Sequence, residues 1–174
     1  KKGLMQDLLT KGIEHNEFKK VRIGAKKVAI PKKWKIHKLE EVTDRMKVGI
    51  ASSVTQHYRE EGIPLIRNLN IKEGYLDDQD MKYINFDFAE KKKNKKLKSG
   101  DVLVVRTGYA GLACMVPEKY NGAQTFTTLI ITPNKNLLDG KYLMQNINSY
   151  LGKAQISRIK VGGNQSNLNI RHLK

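Results

Sequence analysis

Leu97-Lys-Ser-Gly-Asp-Val-Leu-Val-Val-Arg-Thr-Gly-Tyr109 reads as a turn, a buried strand and a polar tip. Ser99-Gly100-Asp101 is composed of residues that close tight reversals. Val102 to Val105 is an apolar, mostly β-branched run suited to a covered strand. The strand delivers Arg106, Thr107 and Tyr109 to one edge of a fold, where they can hydrogen-bond to and stack on a flat partner. None of the three is an obvious acid, base or metal ligand, so the stretch points to recognition before catalysis.

The rest of the chain bounds that reading. At 174 residues with 39% hydrophobic content, it suits one packed domain with a short appendage. No apolar run approaches the roughly 20 residues that span a bilayer, so no membrane role is expected. Thirty-three Lys and Arg against seventeen Asp and Glu leave a formal charge of +16, which attracts polyanions and makes nucleic acid the default partner. The net positive charge concentrates in the first and last thirds, while Asp77, Asp78, Asp80 and Asp87 offset the lysines in the middle. Cys114 is the only cysteine, which excludes an intrachain disulfide and fits a reducing cytoplasm. It lies in the apolar run Gly-Leu-Ala-Cys-Met-Val and reads as a buried small residue, not a nucleophile.

Patterning predicts an α+β fold with a mixed or antiparallel sheet and a few helices. Residues 1–13 read as the end of a helix, with Leu4, Leu8 and Leu9 on one stripe and Gly12 as its C-cap. Residues 14–33 read as a linker or extended arm leading to Pro31. Six strands are then expected in one sheet: the alternating run from Trp34 to Leu39, then Ile63 to Ile71, Met81 to Phe88, Val102 to Arg106, Leu112 to Val116 and Phe126 to Ile131. After Pro133 the period becomes helical, with Leu143, Ile147, Tyr150 and Leu151 on one face. Asp139 is the candidate N-cap and Gly152 the candidate stop. Ile156, Ile159 and Val161 suggest a short extended segment after it.

Catalytic constellations are sparse. His15, His37, His57 and His172 are far apart and form no H-x-x-H pair, so no metal site is expected. Glu90-Lys91-Lys92, with Asp77 upstream, fits a nuclease-type E-x-K element, but a lysine-rich chain offers such triplets by chance and a solvated charged loop is the favoured reading. Gly140-Lys141 and Gly152-Lys153 lack the spacing of a phosphate loop. Recognition chemistry is plentiful instead, in Arg67-Asn68 with Asn70, in Arg106-Thr107-Gly108-Tyr109, and in Gly162-Gly163-Asn164-Gln165-Ser166-Asn167. Arg pairs with guanine and Asn or Gln with adenine, while glycine-turn amides and lysines hold phosphates. Ordinary turn chemistry accounts for any one of these loops equally well.

Three runs in order, Ile63-Pro-Leu-Ile-Arg-Asn-Leu-Asn-Ile71, Leu97-Lys-Ser-Gly-Asp-Val-Leu103 and Gly163-Asn-Gln-Ser-Asn-Leu-Asn-Ile170, resemble the target-recognition domain of Type I restriction-modification specificity subunits. The opening Lys-Lys-Gly-Leu-Met-Gln-Asp-Leu-Leu-Thr resembles the end of that family's spacer helix, and Pro31-Lys-Lys-Trp34 its domain entry. The resemblance implies a spacer-helix end over 1–13, an arm over 14–33, a recognition domain over 34–162 and the start of a following conserved region over 163–174. On that reading the chain is the second recognition domain of a longer subunit.

The resemblance further implies a non-catalytic subunit that binds double-stranded DNA and reads one half of a bipartite target. Modification (methyltransferase) subunits, which would bind S-adenosylmethionine, methylate adenine, and restriction/translocase subunits cut; no cofactor is expected on this chain. The base-edge candidates are Arg67, Asn68, Arg106, Thr107 and Tyr109, with Ser52, Ser53 and Tyr58 as neighbours. The phosphate candidates are Lys91, Lys92, Lys93, Lys95, Lys96, Lys160, Asn164 and Gln165. The competing reading is a general module for single-stranded nucleic acid or RNA, stacking bases on Tyr83, Phe86 and Phe88.

Overall fold

The strand expected in Val102 to Val105 is the middle of the molecule. A computed structural model describes residues 2–23, 26–159 and 167–173. In chain order the elements are α1 (Lys2–Lys11), β1 (Phe18–Ile23), β2 (Lys26–Pro31), β3 (Thr43–Val48), β4 (Tyr58–Arg59), β5 (Ile63–Ile66), β6 (Lys82–Ile84) and α2 (Phe86–Lys91), followed by β7 (Val102–Val104), β8 (Ala113–Met115), β9 (Gln124–Thr125), β10 (Leu129–Pro133), α3 (Gly140–Asn148) and α4 (Tyr150–Ile159). They form an α+β fold whose main sheet runs β3-β10-β7-β8, with every neighbour antiparallel.

Both faces of β7 are buried, which is why its sequence is apolar at every position. Val102 and Val104 face α3 and α4 through Leu143, Met144, Ile147 and Ile156. Leu103 and Val105 face the opposite way, onto Ile66, Ile71, Leu97, Ala123 and Ile130. Each such aliphatic side chain contributes about 1.5–3 kcal/mol on burial.

The turn before β7 has its expected form. Asp101 N–H donates to the Lys98 carbonyl at 3.0 Å, and Gly100 takes φ +86°, as the third position of a type II turn requires. Asp101, with a fully buried side chain, accepts from Lys98 N–H at 2.9 Å, from Thr132 Oγ1 at 2.5 Å and from Arg45 Nη2 at 2.5 Å. This one carboxylate ties the turn to β3 and β10.

Six strands in one sheet is the expectation that changes. A second four-stranded sheet, β4-β6-β5-β9, stands beside the first and carries a parallel pairing between β5 and β9. Its core is Ile50, Val54, Leu65, Ile84, Phe88 and Ala89. Residues 34–38 form no strand: Ile36 is 62% exposed, and the strand of this region is instead β3, seven residues after it. The expected Met81 to Phe88 strand stops at Ile84, because Asn85 caps α2 by accepting Phe88 N–H at 2.8 Å.

Asp139 caps α3 as read, accepting Tyr142 N–H at 2.8 Å. Gly152 does not stop the helical region. The break falls at Ser149, and Gly152 lies inside α4, where a Cβ would sit 2.2 Å from the Asn146 carbonyl oxygen. Glycine is there for the close crossing of α3 and α4, and Ile156 and Ile159 are helical, not extended. The last residue of α3, Asn148, exchanges two bonds with the Ala113 backbone, at 2.9 and 2.8 Å, and so covers the edge strand β8.

At the other end of the chain, α1 ends in Gly12 at φ +67°, whose N–H donates to the Leu8 carbonyl at 3.2 Å. The stretch read as a linker or arm contains an antiparallel hairpin, with Phe18 opposite Pro31 and Ile23 opposite Lys26. Among the described residues, no helix is long and apolar enough to cross a membrane.

Candidate nucleic-acid interface

Strands β5 and β7 each release a polar loop, and the two loops meet. After β7, Val105 N–H donates to Leu112 O at 2.8 Å and Gly111 N–H to Val105 O at 2.9 Å, closing a loop over 106–110. Gly108, at φ +76°, lets it reverse within two residues, and Tyr109 stands 86% exposed at its tip. After β5, Arg67 leads into a single tight turn over Asn68–Asn70.

Asn70 is scaffold and not a reader. Fully buried, it accepts Arg67 N–H at 3.0 Å and donates to the carbonyls of Asp77 at 3.0 Å and Gln79 at 3.2 Å. Asn68 Nδ2 donates to Thr107 Oγ1 at 2.8 Å, which joins the two loops directly. Four base-edge candidates, Arg67, Asn68, Arg106 and Thr107, are thereby brought together, with Tyr109 beyond them.

The polar satisfaction of this junction is incomplete. Five buried side-chain nitrogen or oxygen atoms among the described residues lack a hydrogen-bond partner, and three of them are Arg67 Nε, Asn68 Oδ1 and Arg106 Nε. Buried polar atoms are nearly always paired, so these two donors and one acceptor have hydrogen-bonding capacity that the protein itself does not use. Arg67 is meanwhile aimed by Asp80, whose backbone carbonyl and carboxylate accept from Nη2 at 2.6 and 3.0 Å. Asp80 is held below its ordinary carboxylate range, first by Lys82 and then by Arg67. Sequence reading missed Asp80 as a positioning residue, although its φ of +54° reflects the tight turn that presents it.

Thr127 was also missed. Its N–H donates to Ile50 O at 2.9 Å, two residues before β10 begins at Leu129, which stands opposite Val104 of β7. It adopts φ +57°, a conformation that costs a β-branched residue of order 1–3 kcal/mol and gathers at functional sites. Nothing in the local sequence signals it.

The remaining candidates disperse. Ser52 and Ser53 are exposed on the segment leaving Ile50, which bridges Phe126. Tyr58 is half-buried in β4 against the core of the second sheet. Lys93 and Lys96 pair with Glu90 at 3.4 and 3.0 Å, and Lys95 Nζ donates to Val48 O at 2.7 Å, where burial lowers its pKa. Lys91 and Lys92 line a shallow cavity of about 380 Å³ with His57, Asn85, Asp87 and Phe88. Lys160, Asn164 and Gln165 lie outside the described residues, but Leu168 N–H just beyond them donates to Arg106 O at 2.9 Å.

The elements of the E-x-K reading are engaged separately. Glu90 pairs with the two lysines named above, and Asp77 with Lys72 at 3.6 Å. Among the described residues, no three His, Cys, Asp or Glu converge as metal ligands. Burial pushes the Cys114 thiol up to about 12. The aromatic row invoked for single strands is not formed, because Phe88 is buried and stacked on His57 at 3.8 Å, and Tyr83 is half-buried.

Comparison with known proteins agrees with the fold and gives the family. The Type I restriction enzyme MjaVIII specificity subunit of Methanocaldococcus jannaschii is 33% identical over 105 residues, which is 60% of this chain and 23% of that subunit. The HsdS subunit from Thermoanaerobacter tengcongensis superposes on 86% of this chain and 38% of its own, with a TM-score of 0.58 at 16% identity. The Type I restriction-modification S subunit from M. genitalium superposes on 79% of this chain and 32% of its own, with a TM-score of 0.51 at 16% identity. The chain therefore spans about a quarter to two fifths of the length of these relatives. Residues 31–174 match the family described as the Type I restriction modification DNA specificity domain, and the chain belongs to that family.

Proposed function

We propose that this chain is the sequence-reading domain of a Type I specificity subunit, binding duplex DNA and recognising one half of a bipartite target. The observation that carries the reading is the junction of the Arg67–Asn68 and Arg106–Tyr109 loops, bonded through Asn68 and Thr107 and holding three unpartnered buried polar atoms. Arginine and asparagine side chains held by neighbouring groups are the ones that pair with base edges in the major groove. The basic surface, with its net charge of +16, supplies affinity for phosphates irrespective of sequence.

On this reading the domain performs no chemistry and works in the cytoplasm. It positions modification subunits, which carry S-adenosylmethionine and methylate adenine, and through them the restriction/translocase subunits. Selection of duplexes by the chain from a randomised library tests the proposal. A short motif should be enriched, and duplex should outcompete single-stranded RNA of the same length. Equal recovery of all sequences, or preference for the single strand, overturns it.

A further inference from the structure

The hairpin β1–β2 carries a charge pattern that the recognition loops do not explain. From Phe18 to Pro31 five of fourteen residues are Lys or Arg, and none is Asp or Glu. The hairpin is amphipathic. Its inner face, with Val21, Val28 and Ile30, lies toward α1 and Trp34, and Lys19 Nζ donates to the Trp34 carbonyl at 2.7 Å. Its outer face exposes Lys20, Arg22 and Lys27, and none of the three has a side-chain partner among the described residues. Arg22 stands directly opposite Lys27 in the ladder, an arrangement of like charges that destabilises a sheet. The lysine run that ends and follows α2 differs, since Glu90 pairs with Lys93 and Lys96.

We propose that this outer face is a second contact with duplex DNA, a clamp on the phosphate backbone that reads no bases. The inference rests on the DNA-binding reading above. Same-face positions such as Lys20 and Arg22 recur about every 7 Å along a strand, close to two phosphate steps of about 3.4 Å on one DNA strand. A two-stranded ribbon is also slim enough to lie along a duplex groove.

The hairpin lies close to the reading loops. Lys26 sits over the Tyr150 ring, its Nζ 3.6 Å from the centroid and bonded to the hydroxyl, at the start of α4. Six residues on, a helical distance of about 9 Å, Ile156 packs against Gly111 at the base of the Arg106 loop. One helix thus links the ribbon to the Arg106 loop. Phosphates between Arg22 and Lys27 would relieve their repulsion, so the unfavourable pairing becomes favourable only in the complex.

The test is the salt dependence of binding, measured with the full chain on a duplex carrying its selected motif and on a scrambled duplex. For Lys20→Gln/Arg22→Gln/Lys27→Gln the log-log slope should fall by roughly 2 to 3, at about 0.9 for each phosphate that is no longer neutralised. Affinity should drop by the same factor on both duplexes, leaving the preference between them intact, and Lys20→Arg/Lys27→Arg should keep the wild-type slope. Arg22→Gln alone should lower the slope by about 0.9, which retains the test if the triple variant folds poorly.

An unchanged slope in Arg22→Gln and in a folded triple variant overturns the proposal. So does a loss confined to the selected motif, which would make the ribbon a reader. Loss of binding to anionic phospholipid vesicles with the DNA slope unchanged also overturns it and assigns the face to a membrane surface. If the wild type prefers no sequence yet the slope falls as stated, the clamp stands and the sequence-reading proposal fails.

Discussion

Asn68 is the residue at which stability and recognition should separate most cleanly. Asn68→Ala removes the bond from Nδ2 to Thr107 Oγ1, which contributes about 0.5–1.5 kcal/mol in a folded protein. It also removes Oδ1, a buried acceptor without a partner, whose desolvation costs about 1–3 kcal/mol. The two effects oppose each other, so global stability should change by less than about 1 kcal/mol or rise slightly. Recognition has no such offset. If Oδ1 accepts from a base, its loss costs about 1–3 kcal/mol on the selected duplex, roughly a 5- to 150-fold weakening, and nothing comparable on a scrambled one. Denaturant unfolding and fluorescence anisotropy on both duplexes measure the two quantities. A double-mutant cycle with Thr107→Val should show coupling of about 0.5–3 kcal/mol in target binding. Destabilisation above about 2 kcal/mol with unchanged sequence preference would refute the reasoning and leave Asn68 as a loop staple.

Asp101→Ala strips the fully buried carboxylate from Arg45, Thr132 and the Lys98 N–H. Leaving the Arg45 guanidinium without its counter-charge should cost about 3–5 kcal/mol in denaturant unfolding, and a loss under about 1 kcal/mol would contradict the role given to this turn. Thr127→Gly should raise the melting temperature, because glycine adopts φ +57° without strain, while weakening target preference; a rise with preference intact would make the strain incidental. Cys114, whose thiol burial holds near 12, should resist a disulfide reagent at about pH 8 in the native state and react only in denaturant. Rapid labelling of the folded chain would show that β8 opens.

The legible parts of the fold are those in which local chemistry and tertiary packing agree. Val102 to Val105 is apolar on both faces because both faces are covered, and Ser99-Gly100-Asp101 contains the glycine its turn requires. Asp139 announces α3 because its carboxylate satisfies an amide that the helix leaves free. Where the sequence misleads, long-range contacts decide. Trp34 to Leu39 alternates like a strand but pairs with no strand among the described residues, whereas Thr43–Val48, with Arg45 and Lys47 in it, gains its ladder from β10. Gly152 looks like a stop and is instead a contact point, a distinction that depends on where α3 lies. The alternation of β1 and β2 is hidden by lysine on both faces, and only the cross-strand register reveals a hairpin.

The site divides in the same way. Residue types named the Arg67 and Arg106 loops, because arginine, asparagine and threonine between glycines or turns suit base edges better than cores. The bond between Asn68 and Thr107 spans 39 positions and has no sequence signature. Asp80 and Thr127 declare themselves only through backbone conformation, and the lysine run loses much of its appeal once Glu90 and the Val48 carbonyl are seen to engage it.

Mapping methylated adenines in cells that carry the full-length subunit and its modification partner tests the central claim most directly, comparing the native subunit with one in which residues 34–162 are exchanged for those of another family member. One half of the bipartite motif should change to the donor's, with the other half retained. An unchanged motif would mean that these residues do not read DNA sequence.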